Sequence, residues 1–174
     1  RVGDWSILTN CSQKIDVEVR VAESMLFLDQ PVSSSRIRSC LAEGSIEFVN
    51  QMLGRNYIVD GTVSRGKAIG RTIGFPTLNI FWNPQACPAF GVYVGIVENV
   101  ETCEKFPAVA NYGVRPTVEN NTSNSILEIH VLIQEVPKTW GNGTKLKMEL
   151  INFIRQEKKF SSLEELRIQI EKDK

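Results

Sequence analysis

From residue 57 the hydrophobic period changes from helical to two, and it stays there to about residue 154. Candidate strands fall at 57–64, 77–81, 91–98, 105–111, 126–133 and 145–154, where apolar and polar residues alternate. Turn chemistry separates them: Asn83-Pro84, Cys87-Pro88, Arg115-Pro116, the polar run 119–125 and Gly141-Asn-Gly143. Several short strands with no long helix between them restrict such a chain to a sandwich or a small barrel. Closing the barrel leaves no exposed edge. The last stretch changes period again: Ser161-Ser-Leu-Glu164 has capping-box spacing, and Leu163, Leu166 and Ile170 mark one helix face. The expected fold is mainly β, a barrel with a C-terminal helix packed on it.

Upstream, residues 15–21 alternate as a half-buried strand does. One strand cannot build a core, so its sheet partners are expected before Arg1 or from another chain. The chain begins at Arg1, and 2–5 read as mid-domain sequence, so a longer parent protein is expected. Residues 22–32 read as a loop ending at Pro31. Two short helices follow, about 35–43 with Ile37 and Leu41 on one face and Gly44 as its stop, then about 46–53 with Ile46, Val49, Met52 and Leu53 inward and Gly54 as its stop. Ser33, Ser34 and Ser35 offer N-caps. With Arg36 and Arg38 they make an anion site conceivable at the helix start, although plain capping beside solvated arginines explains the same residues.

The stretch 61–80 carries the most chemistry. It begins as a strand, becomes a basic glycine loop, and re-enters strand at Pro76-Thr-Leu-Asn79. Gly66, Gly70 and Gly74 permit positive φ and close approach to a ligand. A loop of this kind can aim several N–H groups at a phosphate. Arg65, Lys67 and Arg71 add positive charge. Thr77 and Asn79, two apart on a strand, face the same way, and their oxygens are hard ligands suited to Mg²⁺ that keeps waters and phosphate oxygens. A plain glycine turn accounts for the same residues without any ligand. Glu128 alternates with Leu127, Ile129 and Val131, so it shares a face with His130. Alternation alone makes that a solvated face. Asn111, Gly113 and Arg115 before Pro116 form a restrained loop able to fold over a ligand.

Gly70-Arg-Thr-Ile-Gly-Phe-Pro-Thr-Leu-Asn79 resembles the G-R-T-I-G-F-P-T-A-N signature of riboflavin kinases, with Leu78 the sole departure. Three further runs are similar to the same family in the same order: Ala110-Asn-Tyr-Gly-Val-Arg-Pro-Thr117, Leu127-Glu-Ile-His130, and Phe153-Ile-Arg-Gln-Glu-Lys-Lys-Phe160. Ser33 to Arg38 resembles the motif closing the adenylyltransferase domain of bacterial bifunctional FAD synthetases. The resemblance implies a six-stranded Greek-key barrel over 55–174. It implies a C-terminal remnant of a nucleotidyltransferase α/β domain plus helical linker over 1–54. Glu128 becomes the expected catalytic base, and His130 a structural residue. Gly66, Lys67, Gly70, Arg71, Thr77 and Asn79 become nucleotide-binding, with Mg²⁺ on Thr77 and Asn79. Asn111, Gly113, Arg115, Arg155 and Phe160 are expected to bind flavin, and Ser34, Ser35 and Arg36 to be a remnant ATP-phosphate site. ATP and riboflavin are the expected small-molecule substrates, with FMN as product.

Twenty basic and twenty acidic residues cancel, which argues against a general nucleic-acid binder. No apolar run has membrane length. Cys11, Cys40, Cys87 and Cys103 form no C-x-x-C pair, and free buried thiols in a reducing cytoplasm are expected. The sole histidine, His130, leaves no H-x-G-H-type adenylyltransferase motif in these residues, so this stretch is expected to make FMN and stop. A complete FAD synthetase and a non-catalytic flavin- or nucleotide-binding barrel are the rival readings.

Overall fold

The computed structural model describes residues 5–15, 17–20, 22–66, 74–115, 124–158 and 160–173. They divide into two compact units, 1–32 and 33–174.

The first unit holds helix α1 (Trp5–Ile15) and a two-strand hairpin of β1 (Leu26–Phe27) and β2 (Gln30–Pro31). The alternating run expected as a strand over 15–21 is not one: Ile15 ends α1, and 17–20 carry no regular structure. Alternation specifies a face to bury, but a strand also needs hydrogen bonds from a neighbour. Among the described residues nothing pairs with 17–20. Instead Arg20 Nε donates to Glu18 Oε1 at 2.8 Å, both side chains in water. The loop expected over 22–32 contains the hairpin, whose turn residues Leu28 and Asp29 sit at φ 50° and 57°.

The second unit opens with helices α2 (Ser34–Glu43) and α3 (Ile46–Leu53). Ser33 caps α2, its hydroxyl accepting from the Arg36 N–H at 3.3 Å. Gly44 ends it at φ 80°, with the Ser45 N–H donating to Cys40 O at 2.9 Å. Only glycine fits there, because a Cβ would also press on the Phe153 ring. Helix α3 turns Ile46, Val49 and Met52 into the core. Its Asn50 ties the helix to the barrel twice: Nδ2 donates to Leu150 O at 2.9 Å, and Oδ1 accepts from the Tyr57 N–H at 2.8 Å.

Six antiparallel strands close the barrel: β3 (Tyr57–Ser64), β4 (Leu78–Phe81), β5 (Gly91–Asn99), β6 (Lys105–Arg115), β7 (Asn124–Val131) and β8 (Lys145–Gln156). Their order is β3-β4-β7-β6-β5-β8. The chain leaves β4 and skips to β5, while β7 returns to lie beside β4, which is the Greek-key exchange. All six expected strands are present, β3 with its expected ends and the others with one or both ends shifted by up to four residues; β4 starts at Leu78 rather than Thr77, and β6 runs on through Asn111 to Arg115. Gly113 is therefore a strand residue and not the sharp turn its sequence context suggests.

Inward positions alternate along every strand: Val59 and Val63, Tyr93 and Val97, Ala108, Ala110 and Tyr112, Leu127, Ile129 and Val131, Leu146, Met148 and Leu150. Each aliphatic side chain sealed this way contributes about 1.5–3 kcal/mol. Aromatics close both ends. At the start of β6, Phe106 packs on Trp140 at 5.4 Å between ring centroids. At its far end, Tyr112 packs on Trp82 at 5.1 Å and Phe90 at 5.0 Å. Trp140, buried to 1 % exposure, comes from the connection before β8 and donates its indole N–H to Glu104.

Helix α4 (Leu163–Asp173) closes the chain. Its cap is Ser162, one residue later than expected, because Ser162 Oγ is the atom that accepts from the Glu165 N–H. Glu165 reaches back to the N–H and hydroxyl of Ser161. Arg155 on β8 clamps Asp173, Nη2 to Oδ2 at 2.6 Å. The four cysteines are free, and Cys11, Cys87 and Cys103 are exposed rather than buried, since helix surface and loops carry them. Among the described residues no helix is long and apolar enough to cross a membrane.

Candidate active site

The candidate residues come together through strand register. Glu128 on β7 pairs with Asn79 on β4 and, on its other side, with Asn111 on β6. Asn111 pairs with Val92 on β5, and Val92 with Arg155 on β8. Directly opposed residues share a face, so these positions form one row around the barrel, with neighbouring Cβ atoms about 4.5–5.5 Å apart. Beside Glu128, Asn111 and Asn79, the residues Leu127, Ile129, Ala110, Tyr112 and Ile80 point into the core, so these three positions lie on the outer wall. Glu128 is half-buried there between two amides.

Asn79 is the most enclosed member, at 4 % exposure. Ser64, its register partner on β3, donates its hydroxyl to Asn79 O at 3.2 Å. The chain leaving β3 passes over the side chain, and a Cβ on Gly66 would collide with Asn79 Nδ2. The Asn79 Oδ1 is buried and lacks a hydrogen-bond partner among the described residues. A buried acceptor left this way costs about 1–3 kcal/mol. A hard cation would satisfy it, and Thr77, half-buried one residue before β4, offers a second oxygen of the same kind. The donor set therefore fits Mg²⁺ completed by phosphate and water. Among the described residues no group of three or more His, Cys, Asp and Glu could hold a metal. Lys67, Gly70 and Arg71, expected to contact nucleotide phosphates, lie outside the described residues.

His130 serves the scaffold. Its Nδ1 lies 3.0 Å from Pro76 O, and its ring meets Phe75 edge-on at 5.3 Å. It thereby fixes the approach to Thr77 and Asn79.

Next to Asn111 a cleft of about 520 Å³ opens, walled by Ala42, Cys87, Pro88, Ala89, Phe90, Gln156 and Glu157, a volume suited to a small-molecule ligand. Its floor is rigid because the 82–90 connection is pinned: Ala89 N–H donates to Leu41 O at 2.8 Å, Tyr57 Oη to Ala86 O at 3.0 Å, and Tyr93 Oη to Ala89 O at 2.6 Å. Burial raises the phenol pKa of both Tyr57 and Tyr93. Asn111 and Gly113 touch this region through Glu157, which the sequence reading passed over. Arg115 is the last residue of β6. Arg155 and Phe160 do not line the cleft among the described residues. Arg155 is held by Asp173, with its guanidinium carbon 5.9 Å from the Phe160 ring centroid. Ser34 and Ser35 are exposed in the first turn of α2, and Arg36 lends its N–H to the cap.

Fold and site together define a β-barrel with a carboxylate set between two amides beside a ligand-sized cleft. A family model described as Flavokinase, riboflavin kinase, matches residues 53–174. The bifunctional riboflavin kinase/FMN adenylyltransferase of Haemophilus influenzae is 35 % identical over 175 residues, covering 99 % of this chain and 54 % of that protein. The Bacillus subtilis protein of the same description is 37 % identical over 158 residues, covering 88 % and 48 %. A Streptococcus pneumoniae crystal structure described as a macrolide-efflux protein aligns over 95 % of this chain and 52 % of its own, with TM-score 0.76 and 28 % identity. The chain belongs to the riboflavin kinase family. It spans about half the length of the curated relatives it matches.

Proposed function

We propose that this chain transfers the γ-phosphoryl group of ATP to the 5′-hydroxyl of riboflavin, giving FMN and ADP. The observation that carries the reading is the register row that sets Glu128 between Asn79 and Asn111. Glu128 orients the riboflavin hydroxyl and takes its proton as the hydroxyl oxygen bonds to the γ-phosphorus. The bond from that phosphorus to the bridging oxygen breaks, and ADP leaves. Thr77 and Asn79 would hold Mg²⁺, which when bound offsets charge on the phosphate oxygens. Gly66, Lys67, Gly70 and Arg71 would cradle the nucleotide phosphates. The cleft beside Phe90 takes the flavin, with Asn111 and Gly113 at its border; Arg115, Arg155 and Phe160 complete that border in this reading. Positioning and electrostatics supply most of the acceleration in phosphoryl transfer. The test is incubation with riboflavin, ATP and Mg²⁺ followed by chromatography of the flavins. FMN formed in step with ADP supports the reading, and unchanged riboflavin overturns it.

The doubled length of the relatives favours a second assignment. In it, 55–174 is the kinase domain, and 1–54 is the end of an FMN adenylyltransferase domain plus its linker. Ser34, Ser35 and Arg36 would then be the remnant of that domain's ATP-phosphate site. Supplied with FMN, ATP and Mg²⁺, residues 1–174 alone should release no pyrophosphate and form no FAD. Free thiols suit a reducing cytoplasm, where we place the protein.

A further inference from the structure

Glu157 follows the last residue of β8 and reaches across to β6, where Asn111 Nδ2 donates to its Oε1 at 3.3 Å. A Cβ added at Gly113 would collide with the same oxygen. Residues 111 and 113 share the outer face of β6, so Gly113 supplies the space in which the carboxylate lies, while Asn111 supplies its hydrogen bond. Glu157 also walls the cleft together with Phe90, and Asn111 stands in register with Glu128. Glu157 thus touches both the ligand-sized cleft and the row that holds the candidate base.

Chemistry fixes the sense of this contact. An ionised carboxylate only accepts, so the Asn111 amide must turn its NH₂ toward Glu157 and its carbonyl oxygen away. Without Glu157 the two amide orientations become nearly equivalent, and one of them offers an N–H where the other offers an oxygen.

We propose, building on the riboflavin kinase reading, that Glu157 is a positioning residue for the flavin substrate. It acts through Asn111, locking the amide so that Oδ1 accepts a hydrogen bond from a hydroxyl of the substrate's polyol chain. The neighbouring terminal hydroxyl then falls to Glu128. Glu157 itself transfers no proton.

The experiment measures steady-state kinetics, riboflavin binding by fluorescence quenching, and melting temperature for five variants: Glu157→Ala, Glu157→Gln, Gly113→Ala, Asn111→Ala and the Asn111→Ala/Glu157→Ala double. Glu157→Ala should lower kcat/KM for riboflavin roughly ten- to hundredfold, the scale of a small misplacement of substrate, while KM for ATP holds. Gly113→Ala should do the same, because its methyl pushes the flexible carboxylate off Asn111. Glu157→Gln offers a donor as well as an acceptor, so it should recover only part of the loss. In the Asn111→Ala background, Glu157→Ala should have no further effect. An equal loss in both backgrounds would overturn the proposal. So would unchanged riboflavin kinetics accompanied only by a lower melting temperature, which would make the contact a strand tie. If the wild type makes no FMN, the kinase reading fails, and the riboflavin titrations of the same variants still decide whether Glu157 orders a flavin site.

Discussion

Glu128 shows how far single positions could be understood in advance. Alternation put its side chain opposite Leu127, Ile129 and Val131, and those three are indeed buried to 1 % or less while Glu128 faces outward. What alternation could not say is that Asn79 and Asn111 stand on either side of it. Two predictions belong here. Glu128→Gln should keep riboflavin and nucleotide binding but lower turnover by roughly 10²–10⁴-fold, the usual contribution of a general base. Near-wild-type turnover would leave Glu128 a surface residue. Thr77→Val keeps the β-branch and removes one hard oxygen, so it should raise the magnesium concentration for half-maximal rate without changing the far-UV spectrum. An unaltered magnesium titration would remove Thr77 from the metal assignment.

Among the described residues a polar clamp ties helix α4 to β8. Asp173 is 8 % exposed and accepts from Arg155 Nε and Nη2 and from Gln169 Nε2. Removing one partner of a well-buried pair costs on the order of 3–5 kcal/mol, because the other charge is left unmatched. Arg155 keeps 23 % of its side chain in water, so the effect here should lie below that range. Asp173→Ala should speed amide hydrogen exchange over 163–173 by more than tenfold with the barrel strands unaffected. Exchange that rises equally in β5 and β6 would mean the clamp stabilises the whole barrel instead. The sequence supplied this helix and its serine cap to within one residue. The clamp joins positions eighteen residues apart, and neither residue type nor spacing announces it.

The barrel as a whole titrates at its aromatic end. Burial pushes the Tyr112 phenol up to about 12 and raises Tyr93 as well. An unfolded chain loses such protons near pH 10. Between about pH 10 and 12 the folded chain keeps protons that the unfolded chain has lost, so stability is full below this window and falls as pH rises through it. Melting temperature should therefore drop steeply over that interval, and Tyr112→Phe should flatten the slope. Equal slopes for the two proteins would place the alkaline transition elsewhere. The division into units 1–32 and 33–174 carries a second whole-molecule prediction. A polypeptide of residues 33–174 should fold and retain FMN formation, since α2, α3 and every candidate kinase residue lie within it; an unfolded or inactive product would refute that.

By itself the sequence determined the six barrel strands to within four residues and the glycine stops at Gly44 and Gly54. These are local properties: period and cap chemistry are written within a few residues. Tertiary structure alone decided that Asn79, Glu128 and Asn111 stand side by side, that Gly113 makes room for Glu157, and that 17–20 form no strand. Each of these depends on which strand lies next to which and in what register. A slip of one residue exchanges the two faces of a strand, and alternation gives the period of a strand without naming its partner.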